Sequence, residues 1–238
     1  GGGYGTNGVN AVPNDDFYTY NVSSNTYTTI TQYSSTIYNQ GGFGNSNDGT
    51  QFGGYVSSGA NTRTEHWNGT SWSAGGSITW SGNNQNQGGG TSTDALCVGV
   101  GGASYGMNTS YAYDGSWATG QSITYYQRQS AQGGNKTGSG ISISGYGGTS
   151  GGSAGASQRA EACTRGAFNG TWGSITNTTH IAHQSCWCSA GDSSDFNYVG
   201  GYNTASTTFQ QLNTKWNGAS YVAETIIPMQ TAYPNGTG

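Results

Sequence analysis

The sequence predicts an all-β protein, and three observations carry that prediction. An aromatic followed by Asn or Asp, with a second aromatic a few residues on, occurs five times: Tyr20-Asn21 with Tyr27, Trp67-Asn68 with Trp72, Tyr113-Asp114 with Trp117, Phe168-Asn169 with Trp172, and Trp216-Asn217 with Tyr221. The first aromatics lie 47, 46, 55 and 48 residues apart, so nearly the whole chain reads as one unit of roughly fifty residues copied five times. Glycine pairs keep the same beat at Gly2-Gly3, Gly53-Gly54, Gly101-Gly102, Gly147-Gly148 and Gly200-Gly201, mostly closing a short apolar or aromatic run. Finally, no segment holds a 3.6-residue apolar period over the length of a helix, and helix formers are scarce.

Within a unit, short β-prone runs alternate with turns. The unit around residue 150 gives strands over 130–134, 141–146, 160–168 and 171–175, divided by Gly, Asn and Thr clusters. Asn68-Gly69, Asn169-Gly170 and Asn217-Gly218, with Asp114-Gly115 as the acidic equivalent, predict hairpins with type I′ turns, because both residues tolerate positive φ. Four antiparallel strands per unit match a propeller blade better than a sandwich, whose strands need not repeat in sequence. The expected architecture is one five-bladed propeller over 1–238, with blades at 228–238 plus 1–33, 34–80, 81–125, 126–177 and 178–227. The chain starts at a second-strand glycine pair, and Asn235-Gly236-Thr237-Gly238 resembles Asn135-Lys136-Thr137-Gly138 at the end of a first strand. The C-terminal strand is therefore expected to complete the N-terminal blade and close the ring, removing two free sheet edges.

An apolar strand ending in Gly-Gly, then Tyr or Trp, then Trp after a short turn is similar to the kelch repeat. The run Gly90-Thr91-Ser92-Thr93-Asp94-Ala95-Leu96 before Gly101-Gly102, with Trp67-Asn68-Gly69-Thr70-Ser71-Trp72, resembles more particularly the degenerate kelch-like repeats of structural and tail proteins in aquatic bacteriophages. The resemblance covers nearly the whole chain and departs from the pattern in the first repeat, where Tyr20 and Tyr27 replace Trp. It implies a propeller in a virion component and is silent about ligand. Some kelch-type propellers carry a copper oxidase site, but no set of two Tyr and two His can be assigned to one here.

Composition narrows the function classes. The 238 residues include 44 glycines and 30 aromatics, with only 7% charged residues and a net charge of −4; disordered chains usually combine few aromatics with high net charge. The six basic residues are scattered, which leaves no footprint for nucleic acid. No run of eighteen apolar residues spans a bilayer as a helix. The four cysteines, Cys97, Cys163, Cys186 and Cys188, read as small buried strand residues, with a bridge from Cys163 to Cys186 or Cys188 as the alternative in an oxidising setting. Seven Asn-x-Ser/Thr sequons, at Asn21, Asn68, Asn108, Asn135, Asn169, Asn177 and Asn235, are accounted for by turn chemistry or, in a secreted glycoprotein, by glycosylation.

Catalytic signals are missing. His183, Cys186 and Cys188 lack a fourth metal ligand nearby, and His183, Ser185 and Cys186 lack an acid partner. The carboxylates do not recur at one repeat position, and Asp192 and Asp195 lack calcium-loop spacing. We therefore expect no catalytic residue, no metal and no cofactor. Tyr20, Trp67, Trp72, Tyr113, Trp117, Phe168, Trp172, Trp216 and Tyr221 read as structural, filling wedges between blades, while the glycine pairs let blades approach.

Function is expected instead in the long second-to-third and fourth-to-first loops, which share one face of a propeller. Trp80, Tyr125, Tyr126, Arg128, His180, His183 and Tyr233 fall on or just beyond the fourth-to-first loops. Aromatics among Asn and Gln suit carbohydrate, stacking on sugar faces while amides bind hydroxyls. The expectation is a non-enzymatic virion structural or adhesion protein, a tail fibre, spike or capsid decoration in a multi-copy or homo-oligomeric assembly, at the virion surface or extracellular, binding host glycans. The alternatives are an extracellular lectin or filament-forming glycoprotein and, behind it, a secreted enzyme.

Overall fold

The computed structural model describes residues 3–6, 11–14, 17–21, 23–30, 37, 40–56, 59–79, 88–98, 107–128, 131–143, 146–148, 155–156, 160–163, 168–175, 183–184, 188–199, 202–203, 208–209 and 213–223. Every regular element among them is a strand. The first unit contributes two hairpins: β1 (Gly3–Thr6) with β2 (Ala11–Asn14), and β3 (Phe17–Asn21) with β4 (Thr26–Ile30). The second forms a four-stranded meander of β5 (Gly41–Gly44), β6 (Gly49–Phe52), β9 (Thr64–Trp67) and β10 (Trp72–Ala74), with a small hairpin, β7 (Tyr55–Val56) and β8 (Gly59–Ala60), inserted between its second and third strands.

The third unit repeats the meander with β11 (Gly89–Thr91), β12 (Asp94–Val98), β13 (Met107–Tyr113) and β14 (Trp117–Arg128). The fourth uses β15 (Ala131–Gly134), β16 (Gly140–Ile143), β19 (Ala160–Cys163) and β20 (Gly173–Ser174), with the inserted hairpin β17 (Tyr146–Gly148) and β18 (Gly155–Ala156). In the fifth, β21 (His183–Gln184) precedes β22 (Cys188–Gly191) and β23 (Phe196–Val199), the inserted β24 (Tyr202–Asn203) and β25 (Thr208–Phe209), and then β26 (Asn213–Trp216) and β27 (Tyr221–Ala223). All pairings are antiparallel, and the meander of this unit is β22-β23-β26-β27. Residues 1–2 and 228–238, expected to close a ring, lie outside the described residues.

The sheets stack face to face in chain order, and the core lies between them. Phe52 and Ile78 pack on Cys97 and Tyr111 of the next sheet; Leu96, Val98 and Ile123 pack on Cys163 and Trp172; Ile141 and Ile143 pack on Phe196, Tyr198 and Trp216. First strands neighbour one another, β5 against β11, β11 against β15 and β15 against β22. Their glycines permit this: a Cβ on Gly89 would lie 2.4 Å from the Gly134 carbonyl oxygen, and one on Gly133 2.3 Å from that of Gly191. Of the glycine pairs to which the sequence assigns close approach, Gly2, Gly101-Gly102 and Gly200-Gly201 lie outside the described residues; the approach described here falls on Gly89 and Gly133. Of the pairs, Gly53 and Gly54 instead turn the chain into β7, with φ of 65° and 81°.

Neighbouring units are joined by backbone hydrogen bonds, Gly88 N to Gly42 O at 3.0 Å and Gln121 N to Phe168 O at 2.9 Å, and by side chains. Val98 N donates to Gln132 Oε1 at 2.7 Å while Gln132 Nε2 donates to Val98 O. Ser189 Oγ donates to Gln132 O at 2.8 Å, and Trp117 Nε1 donates to Thr64 Oγ1 at 2.7 Å.

The repeated aromatic pair is a cross-strand pair joining third and fourth strands. Tyr20 faces Tyr27, Trp67 faces Trp72, Tyr113 faces Trp117 and Trp216 faces Tyr221, with ring centroids 5.4, 5.0 and 4.9 Å apart in the last three. Trp67 and Trp216 also donate their indole N–H to the first turn of their own sheet, at Ser46 O and Ser193 O, each at 2.9 Å. The expected type I′ turns do not form at Asn68, Asp114 or Asn217. Residues 68–71 and 217–220 make four-residue loops and 114–116 a three-residue one. Only the glycine has positive φ, at Gly69, Gly115 and Gly218. The Asn instead caps the loop with its side chain: Asn68 Oδ1 accepts from Thr70 N and Ser71 N, and Asn217 Oδ1 from Ala219 N and Ser220 N.

Candidate functional site

Connections at one edge of the sheets are tied together. The far end of β14 pairs with β17, matching Tyr126 to Gly148, Gln127 to Gly147 and Arg128 to Tyr146. One unit later β21 pairs with β24, matching His183 to Asn203 and Gln184 to Tyr202. Fourth-to-first and second-to-third connections therefore meet in these two units, and Tyr126 and His183 occupy equivalent places, each five residues before its first strand. Tyr125 is half-buried in β14 rather than fully exposed. Trp80, His180 and Tyr233 lie outside the described residues.

A cavity of about 730 Å3 opens elsewhere, between the hairpin β3–β4 and the sheet that starts with β5. Tyr18, Thr19 and Ile30 line one side, and Gly41 to Gly44, Thr50, Gln51, Trp67 and Trp72 the other. It reaches the row of first strands at Gly89, Gln132, Gly133, Ser189 and Gly191. Gln51 holds the strand position taken by Cys97 and Tyr198 in other units, two residues past the partner of the first-strand glycine. Those two pack against the preceding sheet, so Gln51 points toward the first unit. It is 4% exposed, and neither Oε1 nor Nε2 has a hydrogen-bond partner; Thr50 Oγ1 is also buried and unpartnered. Sequence reading missed Gln51 because it sits in the run Gln51-Phe52 before a glycine pair and reads as an ordinary strand residue. The available signal was a large amide at a position held elsewhere by Cys97, Ser142 and Tyr198.

Burial pushes the Cys97 thiol far up, keeping it protonated. Burial, with Tyr198 nearby, does the same to the Tyr221 phenol. The hydrogen bond from Lys136, 2.6 Å away, holds Asp114 below the usual carboxylate range, and bonds from Ser194 do so for Asp192. His66 Nε2 lies 3.1 Å from Asp48 Oδ1 on a first turn. Among the described residues no three His, Cys, Asp or Glu side chains group as metal ligands, and no helix is long and apolar enough to cross a membrane. No family model and no curated protein matches this chain.

Proposed function

We propose that the chain is a five-bladed, kelch-like β-propeller closed by its C-terminal strand, serving as a non-enzymatic structural and adhesion component of a virion that binds host-surface glycans. The observation that carries the reading is the succession of four four-stranded meanders, each packed face to face on the next with first strands side by side. That arrangement suits blades around an axis. The likeness of the repeats to those of aquatic phage structural and tail proteins supports the virion assignment, and aromatic and amide side chains near solvent support glycan binding.

Immunogold labelling of particles from the source with antibody to the chain tests the assignment. Decoration of an appendage or capsid surface is the expected result. Labelling confined to cell envelopes overturns it in favour of an extracellular lectin or filament-forming glycoprotein. One observation favours that second reading: the sequon residues Asn21, at the end of β3, and Asn68 and Asn169, in turns, are exposed. An intact mass carrying hexose increments on these residues supports it, and an unmodified mass counts against it.

A further inference from the structure

We propose that Asn169 is a site of spontaneous covalent modification, cyclising onto Gly170 and opening to aspartate or isoaspartate, while the Asn-Gly pairs at 68 and 217 are shielded from the same reaction. The chemistry belongs to the chain itself and is the same on a virion or on a cell surface. Two observations separate Asn169 from its sequence equivalents; Asn7-Gly8 and Asn235-Gly236 lie outside the described residues.

The first is the free carboxamide. Asn68 Oδ1 accepts from Thr70 N at 3.0 Å and Ser71 N at 2.9 Å, and Asn217 Oδ1 from Ala219 N at 3.1 Å and Ser220 N at 2.8 Å. Asn21, Asn45 and Asn135 are pinned in the same way by backbone N–H groups two or three residues on. Asn169 is exposed in its turn, and its side chain has no hydrogen-bond partner among the described residues.

The second is the loop. The caps close four-residue loops at 68–71 and 217–220, whereas residues 164–172 join β19 to β20. Cyclisation needs the glycine nitrogen over the face of the Asn side-chain carbonyl carbon, so the carboxamide must turn freely beside its own backbone. A following glycine removes the Cβ that would obstruct this approach. At Asn68 and Asn217 two hydrogen bonds must be released first, which corresponds to about tenfold in rate.

The reaction balances with water as the sole co-reactant. Gly170 N attacks Asn169 Cγ; the N–Cγ bond forms, Cγ–Nδ2 breaks, and ammonia leaves with the proton from Gly170 N. Water then opens the succinimide. Addition at Cγ breaks the new N–Cγ bond and gives aspartate. Addition at the main-chain carbonyl carbon of Asn169 breaks its original bond to Gly170 N and gives isoaspartate, whose main chain runs through Cβ and Cγ. Nothing is oxidised or reduced, and each conversion adds one negative charge to the net −4.

The two products act differently on the join between the third and fourth units. Phe168, directly before the reactive residue, is held from two sides: its N–H donates to Lys136 O at 3.3 Å, and its C=O accepts from Gln121 N of β14 at 2.9 Å. The Lys136 ammonium lies 5.4 Å from its ring centroid. Aspartate keeps this backbone as it is. Isoaspartate lengthens the main chain by one carbon immediately after the anchor and loosens it.

The test is incubation of the full chain at mildly alkaline pH, folded and in denaturant, with tryptic peptides followed by mass. Arg63, Arg128, Arg165 and Lys215 place the three Asn-Gly pairs in separate peptides, 64–128, 166–215 and 216–238, and fragment spectra locate the residue that gains one mass unit. In denaturant the three sites should convert at similar rates. In the folded chain Asn169 should stay near its denatured rate, while Asn68 and Asn217 fall about tenfold or more below theirs. The isoaspartate form, separated by ion exchange, should melt below both the fresh chain and Asn169→Asp, and those two should melt together. Conversion of Asn68 or Asn217 as fast as Asn169 in the folded chain overturns the shielding. No conversion of Asn169 over the time in which the denatured chain reacts overturns the site. An isoaspartate form that melts with Asn169→Asp overturns the link to the Phe168 anchor.

Discussion

Gln132→Met probes the link that joins the second and third meanders. Gln132 is 1% exposed, as is Val98, and its amide bonds both the N–H and the C=O of Val98 across the gap between sheets. Met keeps the length and flexibility of the side chain, so the change removes the two hydrogen bonds without opening a large cavity. Each buried backbone group left unsatisfied costs about 1–3 kcal/mol. Removing the buried amide returns part of this, so we expect a net loss of about 2–4 kcal/mol. Against a total stability of about 5–15 kcal/mol, the variant still folds. Urea unfolding followed by Trp fluorescence, with a check that m is unchanged, reads the difference. A loss below about 0.5 kcal/mol, the scatter of ordinary surface changes, would refute the claim that a side chain stands in for a strand here.

Four further outcomes follow from the same geometry. Gly133→Ala places a Cβ 2.3 Å from the Gly191 carbonyl oxygen and 2.7 Å from the Phe196 ring, and should lower stability by about 1–3 kcal/mol or more; Gly173→Ala, with nothing within 4 Å, should be neutral or slightly stabilising in the same melt. Trp216→Phe keeps the ring pair with Tyr221 but loses the bond to Ser193 O, so thermal unfolding should show a loss of about 1 kcal/mol. Because the folded Asp114 carboxyl is held below its unfolded value, its contribution is present above the ordinary Asp range near pH 4 and fades as acid lowers the pH through the folded value. The side chain is 42% exposed, so solvent screening limits this to under about 0.5 kcal/mol, and Asp114→Asn should flatten the acid limb of a stability–pH curve only slightly. Cys97, buried and protonated, should resist alkylation in the native chain at pH 8 and label on unfolding; rapid native labelling, mapped by mass, would contradict its placement in the core.

The fold class and the hairpins between third and fourth strands are legible in the sequence because cross-strand aromatics and a capping Asn leave a local signature. The spacing from Trp67 to Trp72 is a loop length, and Asn68 marks where that loop begins. The turn type differs from the expected one because an Asn side chain closes the loop by accepting backbone N–H groups, leaving positive φ to the glycine. The run expected over 141–146 breaks into β16 and β17, and the expected 160–168 strand contributes β19 over Ala160–Cys163. The inserted hairpins went unseen because Gly, Ser and Asn give them no apolar alternation. Gln132 and Gln51 were equally hidden: their roles depend on a neighbour about one repeat away for the first, and on a cavity wall for the second. Neither is a property of adjacent residues.

An experimental structure of the chain decides whether the proposed five-bladed ring closes. Closure requires a fifth four-stranded sheet in which residues 228–238 pair beside the hairpin β3–β4, so that all five sheets surround one axis. An open stack of sheets, or residues 228–238 paired outside the ring, would contradict it.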